Sequence, residues 1–349
     1  MEDEEGVMQM NQNRYSRQIL FSSIGTEGQR EIRTKHALII GVGALGSSIA
    51  EMLCRSGIGN LTIIDRDYVE KSNLQRQQLY TEQDAKERIP KAAAAERRLM
   101  EINRECSIKS IVGEATVELL EQLAKSVDII MDATDNMEIR MIVNDIAVKH
   151  EIPWIYGACV GSSGMSYTIV PGETPCLHCL IKSMPMTGMT CDTVGVIAPA
   201  VQLVVSHQVT EALKILVGDK ASLRGTFLTF DLWKNEHHNI KVNRVKRVDC
   251  PTCGENPTYP FLKKENQTKT AVLCGRETVQ IRPSNPKDIP FQQLAESLQK
   301  KGYTVRQNQF LLSVQLEANR VVLFKDGRAL IHETNDVVYA KTLYDQLLG

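Results

Sequence analysis

Two cysteine pairs, Cys176-Leu-His-Cys179 and Cys250-Pro-Thr-Cys253, place four thiols at the spacing of metal knuckles. A CxxC lets two thiolates converge on one ion, and two such knuckles complete a closed tetrahedral site of four cysteine ligands. Four thiolates around Zn²⁺ leave no open position, so the expected role is structural, with one zinc per chain. A redox dithiol would explain one pair but not both. His178, between two of the thiols, is read as exposed rather than as a fifth ligand.

A second constellation lies near the N-terminus. Gly41, Gly43 and Gly46 form a GxGxxG behind the apolar run Leu38, Ile39 and Ile40, and Asp65 follows at the end of the next apolar run. Strand, glycine turn, helix, strand and acid in that order predict a nucleotide whose phosphates lie on a helix N-terminus. The glycines admit a tight turn and let phosphate approach backbone N–H groups. The carboxylate of Asp65 is placed to accept from ribose hydroxyls. This much fits NAD and ATP equally.

The residues after Asp65 separate the two. The chain continues DRDYVEKSNLQRQQLY, and a triphosphate needs cations where a dinucleotide does not. Asn73 and Arg76 are three apart and share a face of a short helical turn. Arg grips phosphate oxygens with a two-pronged fork. Lys91, behind Pro90 at a predicted helix start, and Arg17, in RYSRQ, are further phosphate ligands. In Asp132-Ala-Thr-Asp135-Asn136 two acids stand at the carboxyl end of a strand, the edge where open α/β sheets bind ligands. Mg²⁺ takes one or two carboxylates beside substrate phosphates. Asp135 is the better placed, and Asp132 is equally well explained as an Asx turn or helix cap.

These residues require an α/β scaffold. Strand and helix patterns alternate from residue 36 to about 216, which predicts a Rossmann-like, doubly wound, mostly parallel sheet. Trp154–Cys159, Met165–Val170 and Thr226–Asp231 read as strands, and Val201–Leu216 as a long apolar helix. Beyond Pro257 the pattern changes to a small α+β domain, with a hairpin across Asp326-Gly327 and a closing helix over Val337–Leu348. The expected organisation is a tail at 1–13, a large α/β domain at 14–256, a linker at 257–270 and the small domain at 271–349.

With a net charge of −1 there is no general case for nucleic acid or an anionic membrane. No apolar run spans a bilayer, and the acidic start MEDEEGVMQMNQN is unlike a signal peptide. A cytoplasmic location is expected. Nine cysteines, an odd number, argue against a disulfide framework. Cys54, Cys106, Cys159 and Cys274 are read as small apolar residues.

RYSRQ, GVGALG, Asp65, SNLQRQ, Pro90-Lys91, DATDN, CLHC, TCDTVGV and CPTCG occur in that order. Together they resemble the ThiF/MoeB group of ubiquitin-activating-enzyme-like adenylyltransferases, over about residues 14 to 256. The resemblance implies a homodimer that uses Mg-ATP to adenylate the C-terminal Gly-Gly carboxylate of a ubiquitin-fold sulfur carrier of ThiS or MoaD type, releasing pyrophosphate. It implies supply of sulfur to thiamin or molybdopterin synthesis, with a cysteine-desulfurase or rhodanese-type donor. It assigns Gly41, Gly43, Ala44 and Gly46 to the nucleotide loop and Asp65 to the ribose. It assigns Ser72, Asn73, Leu74, Gln75, Arg76 and Lys91 to the nucleotide and its phosphates, and Asp135 with Asn136 to Mg²⁺. Arg17 would reach into the partner's site. Ala44 stands where many relatives have Gly, which is tolerable if only its N–H is used.

Cys191, in MPMTGMTCDTVGV, has two readings under the resemblance. In the ThiF-like branch it would form an acyl-disulfide with the activated carrier, and in the MoeB-like branch adenylation alone suffices. A thiol accepts acyl groups only as thiolate, and no His adjoins it. Two other classes compete with this one. An NAD(P)-dependent oxidoreductase leaves SNLQRQ, Lys91, DATDN and the cysteine quartet unexplained. A non-catalytic subunit that only binds a ubiquitin-fold partner would lack the nucleotide residues, which are all present.

Overall fold

The computed structural model describes residues 14–183, 194–263, 270–273, 277–283 and 288–348. The described residues form two compact units, one of residues 14–183 and 196–263, the other of 194–195 and the described residues from 270 onward. Cys191 and Cys274 lie outside the described residues.

The first unit begins with helix α1 (residues 14–19) and α2 (Gly25–Thr34). An eight-stranded sheet follows, of β1 (His36–Ile40), β2 (Asn60–Asp65), β3 (Ser107–Val112), β4 (Ile129–Asp132), β5 (Trp154–Val160), β6 (Ser163–Ile169), β7 (Thr226–Asp231) and β8 (Glu236–Lys241). Their spatial order is β3-β2-β1-β4-β5-β6-β7-β8. The first five are parallel, and β6 to β8 extend the sheet antiparallel.

Why β1 is apolar throughout follows from its surroundings. Ala37 and Ile39 face the helices α3 (Ala44–Arg55), α5 (Lys91–Ile102) and α9 (Ala198–Leu216), in a core with Ile63, Met131 and Ile155. Leu38 and Ile40 face the opposite way, in a core with Ile130, Trp154 and residues of α6 (Val117–Leu123) and α7 (Met137–Lys149). A strand covered on both faces has no polar side to show. Each buried Ile or Leu contributes roughly 1.5–3 kcal/mol. Two shorter helices, α4 (Glu82–Glu87) and α8 (Leu177–Ser183), follow the charged strip and carry the first cysteine knuckle respectively.

β1 pairs with β2 on one side and β4 on the other, so the winding reverses there. The crevice outside the carboxyl ends of β1 and β4 is where such sheets bind ligands.

The expected strand–helix alternation breaks at β5. Only Gly161 and Ser162 separate β5 from β6. Two residues close an antiparallel hairpin, whereas a parallel return needs a crossover of a dozen or more. β8, EHHNIK, is exposed along its whole length at the sheet edge, so it carries no apolar alternation by which to be recognised.

The second unit is an antiparallel sheet of order β11-β12-β13-β14-β10-β9. Its strands are β9 (Thr270–Leu273), β10 (Thr278–Ile281), β11 (Thr304–Gln307), β12 (Leu311–Gln315), β13 (Arg320–Phe324) and β14 (Ala329–His332). Helices α10 (Phe291–Lys300) and α11 (Val337–Leu348) share a core with it that includes Val279, Val314, Leu323, Leu298 and Leu343. No described helix is long and apolar enough to cross a membrane.

Candidate functional site

The glycine loop leaves β1 at Gly41, whose φ of +87° favours glycine. A Cβ on Gly41 would stand 2.6 Å from the Ala133 carbonyl oxygen, and one on Gly46 would stand 1.9 Å from that of Gly41. These two glycines let α3 pack down onto the ends of β1 and β4. Gly43 differs: the nearest atom to its absent Cβ is Gln77 Nε2 at 3.8 Å. No protein atom crowds the backbone there, so a ligand can approach it closely. Gly43 is also the N-cap of α3 and brings no side-chain cap. The first N–H groups of α3, including that of Ala44, are left for an anion.

Asp65 ends β2 and is buried. Its Oδ2 accepts the Val42 N–H at 2.6 Å and its Oδ1 accepts the Asp67 N–H at 2.7 Å. Burial pushes its carboxyl pKa up, against the pull of Lys91. Asp65 therefore braces the glycine loop. Tyr80 completes the brace by donating its hydroxyl to the Val42 carbonyl at 2.5 Å.

The strip after Asp65 folds back over the same edge. Asn73 is buried, and its Oδ1 accepts the Glu70 N–H in a capping box around Lys71–Asn73. Arg76 is partly exposed, donates to the Ser72 carbonyl at 3.0 Å, and makes no ion pair among the described residues. The shared face expected for Asn73 and Arg76 is thus divided, one inward and one toward solvent. Ser72 and Gln75 are exposed, and Leu74 is half-buried against the core. Lys91 opens α5, is buried, and lies 3.3 Å from Asp67.

Of the two acids after β4, Asp132 is turned inward. Its Oδ2 accepts from Arg140 Nε at 2.9 Å, and its Oδ1 accepts the Thr134 N–H at 3.1 Å. Burial raises its pKa and Arg140 opposes this. The Asx-turn reading of Asp132 matches its geometry, and the cap of α7 belongs to Asn136, whose Oδ1 accepts from Ile139 N–H. Asp135 is exposed, so it is the acid open to a cation beside phosphates. Arg17, on α1, is exposed and makes no ion pair among the described residues.

The four knuckle sulfurs lie within 4.8 Å of one another, with Cys176–Cys250 at 3.7 Å and Cys179–Cys253 at 3.6 Å. These separations are far too long for disulfides. Tetrahedral Zn–S bonds of about 2.3 Å put sulfurs about 3.8 Å apart, so the quartet fits that ion. Among the described residues it is the one group of three or more His, Cys, Asp or Glu placed to hold a metal. Hydrogen bonds from Cys176 and Cys179 lower the Cys253 thiol pKa, and the same contacts raise that of Cys176. Helix α7 ties both knuckles. Asn144 accepts the Leu177 N–H at 2.8 Å, and Asp145 accepts the Thr252 hydroxyl at 2.6 Å. His178 is half-buried beside Phe261.

Cys54 and Cys106 are buried as expected, while Cys159 is only partly so. Residues that sequence reasoning passed over are Arg66, Asp67, Tyr80, Glu114, Arg140, Asn144 and Asp145. Arg66, Asp67 and Tyr80 belonged to the charged strip already singled out. The others carry no local signal.

An uncapped helix N-terminus and an uncrowded glycine at the switch point of a doubly wound α/β sheet make a crevice suited to an anion. Residues 15–252 match the ThiF family model, and the chain belongs to that family. It is 52% identical over 336 residues to "Sulfur carrier protein ThiS adenylyltransferase" of Bacillus subtilis, covering 96% of this chain and 99% of that one. It is 33% identical to the protein of that name from Escherichia coli K12, covering 71% of this chain and 97% of the relative. Among solved structures it resembles E. coli MccB with ATP, with a TM-score of 0.58 and 25% identity over 69% of this chain and 74% of that one.

Proposed function

We propose that the chain is an ATP-dependent adenylyltransferase of a ubiquitin-fold sulfur carrier. The observation that carries this reading is the loop around Gly43, open and uncapped, at the switch point of a ThiF-family fold. The name shared by the B. subtilis and E. coli relatives favours a ThiS-type carrier over a MoaD type.

In this reading the triphosphate lies against the N-terminus of α3, with Gly41, Gly43, Ala44 and Gly46 beneath it. Asn73, Arg76 and Lys91 bind its oxygens, together with Ser72, Leu74 and Gln75 of the same segment. The carrier's terminal carboxylate attacks the α-phosphorus. A new C–O–P bond forms, the bond to the β-phosphate oxygen breaks, and pyrophosphate leaves with its electron pair. The nucleophile is already an anion, so no general base is needed. What the chain supplies is position and compensating charge. Mg²⁺ held by Asp135 beside Asn136 would neutralise charge on the phosphates. Zn²⁺ would occupy the Cys176, Cys179, Cys250 and Cys253 quartet and only brace the fold.

Arg17 is assigned to the neighbouring subunit's phosphates in a homodimer. The exposure of Leu20 and Phe21 beside it, at 73% and 59%, fits an apolar contact between copies. Cys191 is assigned to acceptance of the activated carrier, downstream of adenylation. A cysteine-desulfurase or rhodanese-type protein would provide the sulfur.

The test is ATP–pyrophosphate exchange with purified ThiS and, separately, MoaD. Exchange that depends on ThiS and disappears in Asp135→Ala is the expected result. Exchange with MoaD alone would reassign the carrier, and none with either would refute the reading.

A further inference from the structure

Gln77 ends the SNLQRQ segment and is buried, with 3% of its surface exposed. Its backbone is held at both ends. The Gln77 N–H donates to the Asn73 carbonyl at 3.0 Å, and its own carbonyl accepts the Tyr80 N–H at 3.3 Å. The side chain turns to the glycine loop, where Nε2 would stand 3.8 Å from a Cβ on Gly43. Gly43 is the N-cap of α3 and supplies no side-chain cap. The Gln77 Oε1 is buried with no hydrogen-bond partner, and Nε2 makes no hydrogen bond among the described residues.

Other glutamines of the same unit show how such a group is satisfied. Gln29 donates to the Ser56 carbonyl at 2.9 Å and accepts from Gln18 at 2.7 Å. Gln78 donates to Glu51 and accepts from Gln202, both at 3.1 Å. Gln208 Nε2 donates to the carbonyls of Asp132 at 2.8 Å and Ile155 at 3.2 Å. A buried carboxamide without partners costs stability, and an unbranched apolar side chain would fill the same place without that cost. The fold gives no account of glutamine at 77. Its position does. The first N–H groups of α3 favour an anion beside Gly43, and the Gln77 carboxamide adds a side-chain donor at that place.

We propose that Gln77 is a substrate-contacting residue, whose Nε2 donates to a phosphate oxygen of ATP held over Gly43. The proposal rests on the ATP reading above, and it adds a neutral donor to the phosphate ligands Asn73, Arg76 and Lys91.

The experiment is calorimetric titration of the full chain with Mg-ATP and, separately, with adenosine, for wild type, Gln77→Met and Gln77→Glu. The unfolding midpoint of each protein and its KM for the carrier in pyrophosphate release are measured alongside. Gln77→Met should weaken ATP binding about tenfold. It should leave adenosine binding and the carrier KM unchanged, and it should keep or raise Tm, because no hydrogen bond within the protein is lost. Gln77→Glu has the same shape but sets a carboxylate beside the phosphates, so it should weaken ATP binding further. It reads the same contact if Gln77→Met fails to fold.

Wild-type ATP affinity in folded Gln77→Met would overturn the proposal. Equal weakening of ATP and adenosine, with a lowered Tm, would overturn it in favour of a residue that only shapes the crevice. Unchanged ATP binding with a raised carrier KM would overturn it by moving the contact to the carrier's carboxylate. Absence of ATP binding in the wild type would instead remove the ATP reading, and the Gln77 proposal with it.

Discussion

Asp65 and Tyr80 grip the same residue from opposite sides. Val42 donates its N–H to Asp65 at 2.6 Å, and its carbonyl accepts from the Tyr80 hydroxyl at 2.5 Å. Val42 lies between Gly41 and Gly43, so the clamp sets the direction of the loop's remaining N–H groups. A glycine-rich loop is otherwise conformationally loose. Tyr80 stands three residues past SNLQRQ and its N–H donates to the Gln77 carbonyl at 3.3 Å, so its side chain ties the glycine loop to the end of that segment.

Tyr80→Phe removes one oxygen and leaves the Val42 carbonyl without its partner. A cost of about 1–3 kcal/mol in stability is expected, with a several-fold rise in KM for ATP and little change in the carrier KM. Urea unfolding and steady-state kinetics check it together. Lower stability with an unchanged KM for ATP would mean that the clamp serves the fold alone.

Asp132 and Asp135 should separate stability from activity. Asp132 is paired inside the protein with Arg140 at 2.9 Å, and Arg140 Nη2 also donates to the Thr134 and Gly157 carbonyls. Asp132→Ala leaves that guanidinium buried without its carboxylate, at a cost of about 3–5 kcal/mol. Asp135 is exposed, so Asp135→Ala should leave the unfolding midpoint within experimental scatter while abolishing pyrophosphate exchange. The reverse pattern would exchange the roles of the two acids.

Asp145 makes a prediction about pH. It is fully buried on α7, and burial raises its pKa from 3.8 to about 6, against hydrogen bonds from Thr252 and Phe261. A carboxyl with a raised pKa holds its proton longer in the folded state than in the unfolded one. Its contribution is therefore most favourable below about pH 4 and declines as pH rises toward 6, by about 3 kcal/mol in all. Asp145→Asn cannot ionise. The difference in unfolding free energy between the variant and wild type should grow over that interval and level off above it. A difference that is flat from pH 4 to 7 would mean that the carboxyl titrates normally.

What was legible in the sequence was whatever is local. The glycine loop, the strip after Asp65 and each knuckle lie within a few residues, so they could be found from spacing, and the structure brings the two knuckles together. The parallel half of the sheet was legible because buried strands are apolar on both faces. Pairings across the fold were not. Arg140 reaches Asp132 only when α7 packs beside β4, and Glu114 reaches Arg66 only when β3 lies beside β2. The inward turn of Asn73 depends on Glu70, a contact that helical periodicity does not describe. β8 escaped because a solvated edge strand has no buried face to mark it.

Removal of the metal supplies the last prediction. Asn144 and Asp145 are adjacent on α7, and each holds one knuckle, through Leu177 and Thr252. The same helix begins just after Asp135. A zinc at the quartet would therefore lock the far end of the helix whose near end adjoins Asp135. Cys176→Ser, or exhaustive chelation under reducing conditions, should lower metal content from one zinc per chain toward zero and lower Tm by about 10 °C. The fraction still folded should retain pyrophosphate exchange with a raised KM for ATP, because a four-thiolate site has no open position for chemistry. Metal analysis, thermal unfolding and exchange on the same sample check all three. Full activity and an unchanged Tm after complete loss of zinc would show that the knuckles hold without an ion. Loss of exchange while the protein remains folded would give the metal a part in the reaction itself.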